Sequence, residues 1–188
     1  MQILIAYATT DGQTRKIARF AADRLAGQGH AVELLNLEDA EGLDLARFDA
    51  AILAGSLHAG GYQKALTRFA SAERVNLALM PTLFLSVSLS AAGQDAEDWA
   101  GLRKCLAEFE LETGWTPGRV EHVAGAFRFS EYDFFRAWAM RRIADMKGET
   151  VEPGKDKEYT DWLALGAALD AWVADLKSRV RAGAASAS

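Results

Sequence analysis

Three threonines, an aspartate and a glycine cluster in Thr9-Thr10-Asp11-Gly12-Gln13-Thr14. The hydroxyls of Thr9, Thr10 and Thr14 can donate to phosphate oxygens. Where a helix starts at this point, backbone amides from Thr10 to Thr14 point at the anion and the helix dipole favours its charge. Gly12 lets the backbone approach closely. No lysine is needed, so a chain of formal net charge −5 can bind phosphate this way. The segment is not the GxxxxGK loop of nucleotide-binding P-loops, nor GxGxxG; Gly27 and Gly29 have the GxG spacing but precede a strand and lack the third glycine. A plainer reading is that these residues only cap a helix. Position alone leaves both readings open. Three hydroxyls and a glycine directly after a buried apolar run favour phosphate.

Other reactive side chains are isolated. His58 follows the third apolar run, where it can meet a ligand or stay solvated. Tyr62 can stack on a flat ligand or pack on the core. His30 and His122 lie at the starts of strands, away from the ligand end. Cys105 reads as a small core side chain. Trp99, Trp162 and Trp172 fall on apolar helical stripes and read as core. No paired carboxylates, nucleophile–base pair or metal-ligand spacing occurs near the predicted loops, so no side chain is assigned as acid, base or metal ligand.

The elements that would position the loop follow from periodicity. Near-continuous apolar runs at Ile3 to Ala8, Val32 to Leu37, Ala50 to Ala54, Thr82 to Val87 and Val120 to Ala126 suit strands buried on both faces. Helical periodicity covers Thr14 to Ala26, Gln63 to Leu79, Asp95 to Glu112 and Asp161 to Val180. Alternating elements predict an α/β fold with a doubly wound, five-stranded parallel sheet, which binds ligands at the carboxyl ends of its strands. Phe127 to Tyr159 is too long for an ordinary connection and reads as an added helix and loop. One domain is expected over residues 1–181, with a frayed tail at 182–188.

Interleaved charges argue against a nucleic-acid binder. A single cysteine excludes internal disulfides and fits a reducing, cytoplasmic setting. No basic segment followed by a long apolar stretch opens the sequence, and no run is long enough to span a bilayer.

The loop resembles the phosphate signature of the flavodoxin family, Thr/Ser-x-Thr-Gly-x-Thr, with Asp11 before the glycine. Within that family the chain is similar to the menaquinone-dependent protoporphyrinogen IX dehydrogenases. The supporting stretches are Asp11 to Arg15 with Ile17-Ala18, then Ser86 to Leu89, Ala124 to Arg128, Gly148-Glu149-Thr150 and Tyr159-Thr160-Asp161-Trp162. The resemblance implies sheet order 2-1-3-4-5, with FMN at the ends of strands one, three and four. It implies a second loop of Ser56, Leu57, His58, Ala59, Gly60, Gly61 and Tyr62. The third would hold Ser88, Leu89, Ser90 and Gly93. Ala59 stands where many flavodoxins have an aromatic residue over the flavin, and Ser88 where the branch often has asparagine. The insertion would offer Arg128, Arg136, Arg141 and Arg142, with Phe134, Phe135 and Trp138, to a quinone, to porphyrin propionates or to the membrane interface; packing on the domain is the alternative.

The implied activity is oxidation of protoporphyrinogen IX, with menaquinone or another quinone as acceptor, in haem biosynthesis. A flavodoxin-type electron carrier, an NAD(P)H-dependent quinone reductase and an interaction module without flavin remain alternatives. Homo-oligomer formation and peripheral association with the cytoplasmic face of the inner membrane are further expectations.

Overall fold

In a computed structural model of the chain, the described residues are 1–40, 42–58, 60–127 and 157–186. Strands β1 (Gln2–Ala8), β2 (Ala31–Asn36), β3 (Ala50–Ser56), β4 (Thr82–Ser88) and β5 (Arg119–Ala124) form one parallel sheet of order β2-β1-β3-β4-β5. The predicted order is therefore present. Strands β1, β3 and β4 are buried on both faces, which explains their unbroken apolar character.

Successive side chains of a strand point to opposite faces, and the core divides accordingly. Ile3, Ile5 and Tyr7 pack with Ile17, Ala21 and Leu25 of α1 (Gln13–Gly27) and with Leu165, Leu169 and Trp172 of the last helix. Leu4, Ala6 and Ala8 face Leu66 of α2 (Lys64–Ala72), Leu77 of α3 (Arg74–Ala78) and Phe109 of α4 (Ala96–Thr113).

The helix expected over 63–79 is broken at Glu73, whose ψ of 8° departs from a regular helix. The last helix, α5 (Trp162–Ser186), runs beyond the expected end at Val180, because the alanine-rich segment has high helix propensity. Residues 182–186 thus extend a helix where a frayed tail was expected. Strand β5 ends at Ala124, two residues early. The Gly125 amide still donates to Ser88 O, and the chain then enters a separate antiparallel ribbon, β6 (Ala126–Phe127) with β7 (Lys157–Glu158).

Gly55 shows how tightly β3 and α2 meet. A Cβ there would lie 2.3 Å from Leu66 Cδ2, and Leu66 is fully buried. Gly55→Val is expected to destabilise the domain by about 1–3 kcal/mol. Thermal melting should show this as a Tm lower by roughly 2–10 °C.

Candidate functional site

The sheet reverses its winding between β1 and β3, since β2 lies on one side of β1 and β3 on the other. The loops leaving these strands diverge and open a crevice at their carboxyl ends. The predicted phosphate loop fills it. Gly12 sits directly before α1 with φ of 85°, a left-handed conformation that favours glycine. Thr9 Oγ1 accepts the Gly12 amide at 2.9 Å, and Thr10 Oγ1 accepts Gln63 Nε2 at 3.1 Å. Both hydroxyls accept in these bonds, so both protons stay free to donate outward. Thr14 is 1% exposed, and its Oγ1 has no partner among the described residues. Helix geometry also leaves the first-turn amides of α1 without intrahelical acceptors. Unsatisfied donors around a glycine turn fit a phosphate monoester.

Asp11 differs from the rest of the loop, because its carboxylate opposes an anion. Its Oδ1 is buried without a partner among the described residues, and its Oδ2 lies 3.1 Å from His58 Nε2. His58 therefore links the first loop to the second and offsets the aspartate when protonated.

The second loop is held by backbone bonds and by Gln63. The Leu57 amide donates to Val87 O at 2.8 Å, and His58 and Gly61 exchange two backbone bonds. Gly60 makes the turn with φ of 86°. The Ser56 amide donates to Gln63 Oε1 at 3.1 Å, while Gln63 Nε2 contacts Ser56 Oγ. Gln63 thus ties Ser56 to Thr10. Of the two readings open for Tyr62, stacking on a ligand or packing on the core, the structure shows the second. Its ring lies edge-on to Phe84 and Phe109, and its hydroxyl contacts Ser86 Oγ at 2.8 Å. Burial pushes its pKa up to about 12. The apolar partners on β4 and α4 draw the ring into the core. Ala59 lies outside the described residues.

In the third loop, Ser88 is nearly buried and its Oγ accepts the Ala91 amide at 3.1 Å. It shapes the short turn Ser90–Ala92, while Leu89 and Ser90 remain partly exposed. Trp99 is not the core residue its spacing suggested. Its Nε1 donates to Gly93 O at 2.8 Å, and its ring stands edge-on to His122. His122 lies within β5 opposite Ser86 rather than at the strand start, and burial lowers its pKa. His30 precedes β2 as expected. Cys105 is half-buried, and burial raises its pKa, which disfavours the reactive thiolate.

A family model described as a flavodoxin domain matches residues 4–153. The chain belongs to this family. This flavodoxin domain is 29% identical over 162 residues to protoporphyrinogen IX dehydrogenase (quinone) of Escherichia coli strain K12, covering 86% of this chain and 89% of that protein. It is 28% identical over 163 residues to a Leishmania major protein of the same name, covering 86% and 70%. Among solved structures, a Fusobacterium nucleatum flavodoxin mutant bound to flavin mononucleotide shares the fold. Its TM-score is 0.51 at 16% identity, over 95% of this chain and 96% of that one.

The flavodoxin domain carries one structural addition that the loop sequence did not reveal. The stretch from β7 to the start of α5 contacts the start of α1. Gln13 Nε2 donates to Thr160 Oγ1 at 2.9 Å, and Thr160 donates to Ala124 O at 2.7 Å. Glu158 accepts Lys16 Nζ at 2.5 Å and Trp162 Nε1 at 2.7 Å. The Lys16 bond holds the Glu158 carboxyl below the usual carboxylate range. The Gln13 side chain is thus directed to Thr160, leaving its backbone amide to the anion site.

Arg128, Phe134, Phe135, Arg136, Trp138, Arg141 and Arg142 lie outside the described residues. Among the described residues, no helix is long and apolar enough to cross a membrane.

Proposed function

We propose that this flavodoxin domain binds FMN and oxidises protoporphyrinogen IX to protoporphyrin IX, with a quinone, menaquinone by preference, as acceptor. The buried Thr14 hydroxyl beside the Gly12 turn, without a partner among the described residues, is the observation that carries the cofactor assignment. It supplies a donor of the right kind where FMN presents its phosphate. Thr9, Thr10 and the first amides of α1 complete that grip, and His58 Nε2 stands 3.1 Å from the Asp11 carboxylate beside it. The loops from Ser56 and Ser88 lie at the strand ends where the flavin ring belongs, with Leu57, His58, Gly60, Leu89, Ser90 and Gly93 in reach of it.

The relatives' names support the substrate assignment. Bound FMN supplies the redox chemistry, accepting electrons from the porphyrinogen and passing them to the quinone. The protein's own residues fix the phosphate, and the arginines and aromatics of 128–156 offer propionate and quinone contacts. A membrane that holds the quinone is a further partner for these side chains.

Purified protein, FMN, protoporphyrinogen and a soluble menaquinone analogue, followed by porphyrin fluorescence, test the assignment. A rise well above the spontaneous rate is expected. A rate equal to the spontaneous one rejects the substrate.

A further inference from the structure

We propose that Thr160 and Glu158 are positioning residues for the FMN phosphate. They hold the first turn of α1 in its binding-ready orientation from the far end of the sequence. The inference rests on the FMN reading above and extends it to residues that do not touch the phosphate.

The polarity of the contacts carries the argument. Thr160 has one hydroxyl proton, and it goes to Ala124 O at 2.7 Å. The hydroxyl oxygen is then free to accept, and Gln13 Nε2 fills that position at 2.9 Å. A directed chain therefore runs from the first residue of α1, through Thr160, to the last residue of β5. Serine can reproduce both bonds; valine, of the same shape, can make neither.

Glu158 makes a second attachment one turn further along. It anchors Lys16 and is itself oriented by the Trp162 indole. The Tyr159 amide, between the two anchors, donates to Gly125 O at 3.0 Å. The segment is thus fixed to β5 on one side and to α1 on the other.

The anion site needs this support. Its donors are the α1 first-turn amides and Thr14 Oγ1, which are useful only when fixed in direction. Holding them before the ligand arrives lowers the ordering cost of binding. Thr9 and Thr10 are held from within the loop and from Gln63. On the opposite side, Gln13 and Lys16 are held by Thr160 and Glu158.

The test compares FMN with riboflavin, which has the same ring but no phosphate, by flavin fluorescence on full-length protein. The wild type is expected to prefer FMN. Thr160→Val should weaken FMN about 3- to 10-fold, as expected for a lost net hydrogen bond. Riboflavin affinity should stay unchanged, so the FMN preference falls. Thr160→Ser should retain it, and Glu158→Gln should shift it in the same direction as valine.

A preference unchanged in Thr160→Val and Glu158→Gln overturns the inference and leaves the FMN reading standing. Equal weakening of both flavins also overturns it, since that marks general damage. A wild type that binds neither flavin rejects the FMN reading, and the inference with it. If Thr160→Val fails to fold, Glu158→Gln and Thr160→Ser supply the comparison.

Discussion

Replacing residues 128–156 with an Asn-Gly turn is expected to abolish quinone-coupled oxidation of protoporphyrinogen while leaving FMN affinity at the wild-type level. The ribbon makes this deletion feasible. β6 and β7 are antiparallel, with Phe127 opposite Lys157, so a two-residue turn can join them without stretching either strand. The contacts described above that hold the phosphate loop lie outside the cut. Thr160, Glu158, Gln13, Lys16, Ala124 and Gly125 all remain. What goes is the arginine-aromatic stretch from Arg128 to Arg142. Two lost charge-assisted contacts to propionates would cost roughly a hundredfold or more in kcat/KM. Porphyrin fluorescence gives the rate, and flavin fluorescence titration gives the affinity. A deleted protein that still oxidises the substrate at the original rate would show that the segment serves something else.

Thr14→Val is expected to move two properties in opposite directions. In the FMN-free protein the Thr14 hydroxyl is buried with no partner among the described residues, a state that costs about 1–3 kcal/mol of desolvation. Valine has the same shape without that polar group, so the cofactor-free variant should melt roughly 2–10 °C higher. Phosphate binding then loses a donor to a charged acceptor. FMN affinity should fall about 10- to 100-fold, the usual worth of a hydrogen bond to a charged group. A melting temperature that falls along with affinity would mean that Thr14 is a packing residue rather than a ligand.

The fold was legible because its signals are local. Burial on both faces leaves an unbroken apolar run, as in Ile3 to Ala8, and a helix packed on one side leaves a stripe such as Ile17, Ala21 and Leu25. The loop from Thr9 to Thr14 was legible for the same reason: its hydroxyls, glycine and helix start are neighbours in sequence. Its supports were not. Gln63 reaches Thr10 across 53 positions, and Thr160 reaches Gln13 across 147. Such pairs leave no periodic trace in one sequence. Trp99 was misjudged and Tyr62 was left between two readings, because spacing fixes the face of an element and not the side chain's partner. Phe109, from another helix, draws Tyr62 inward, and the Gly93 carbonyl holds Trp99 at the loop. The paired threonine and tryptophan around Asp161 marked a family resemblance, yet their work against α1 became visible only in three dimensions.

The short ribbon of β6 and β7 also bears on how such chains diverge. Both its strands leave the domain at one place, so the chain between them starts and ends at neighbouring positions whatever its length. Closing such a loop costs only about 0.6 kcal/mol for each doubling of its length. Segments of different length and composition can therefore be exchanged at this point with little thermodynamic consequence for the sheet. Selection can act on the excursion alone, and substrate preference can drift while the phosphate grip stays constant.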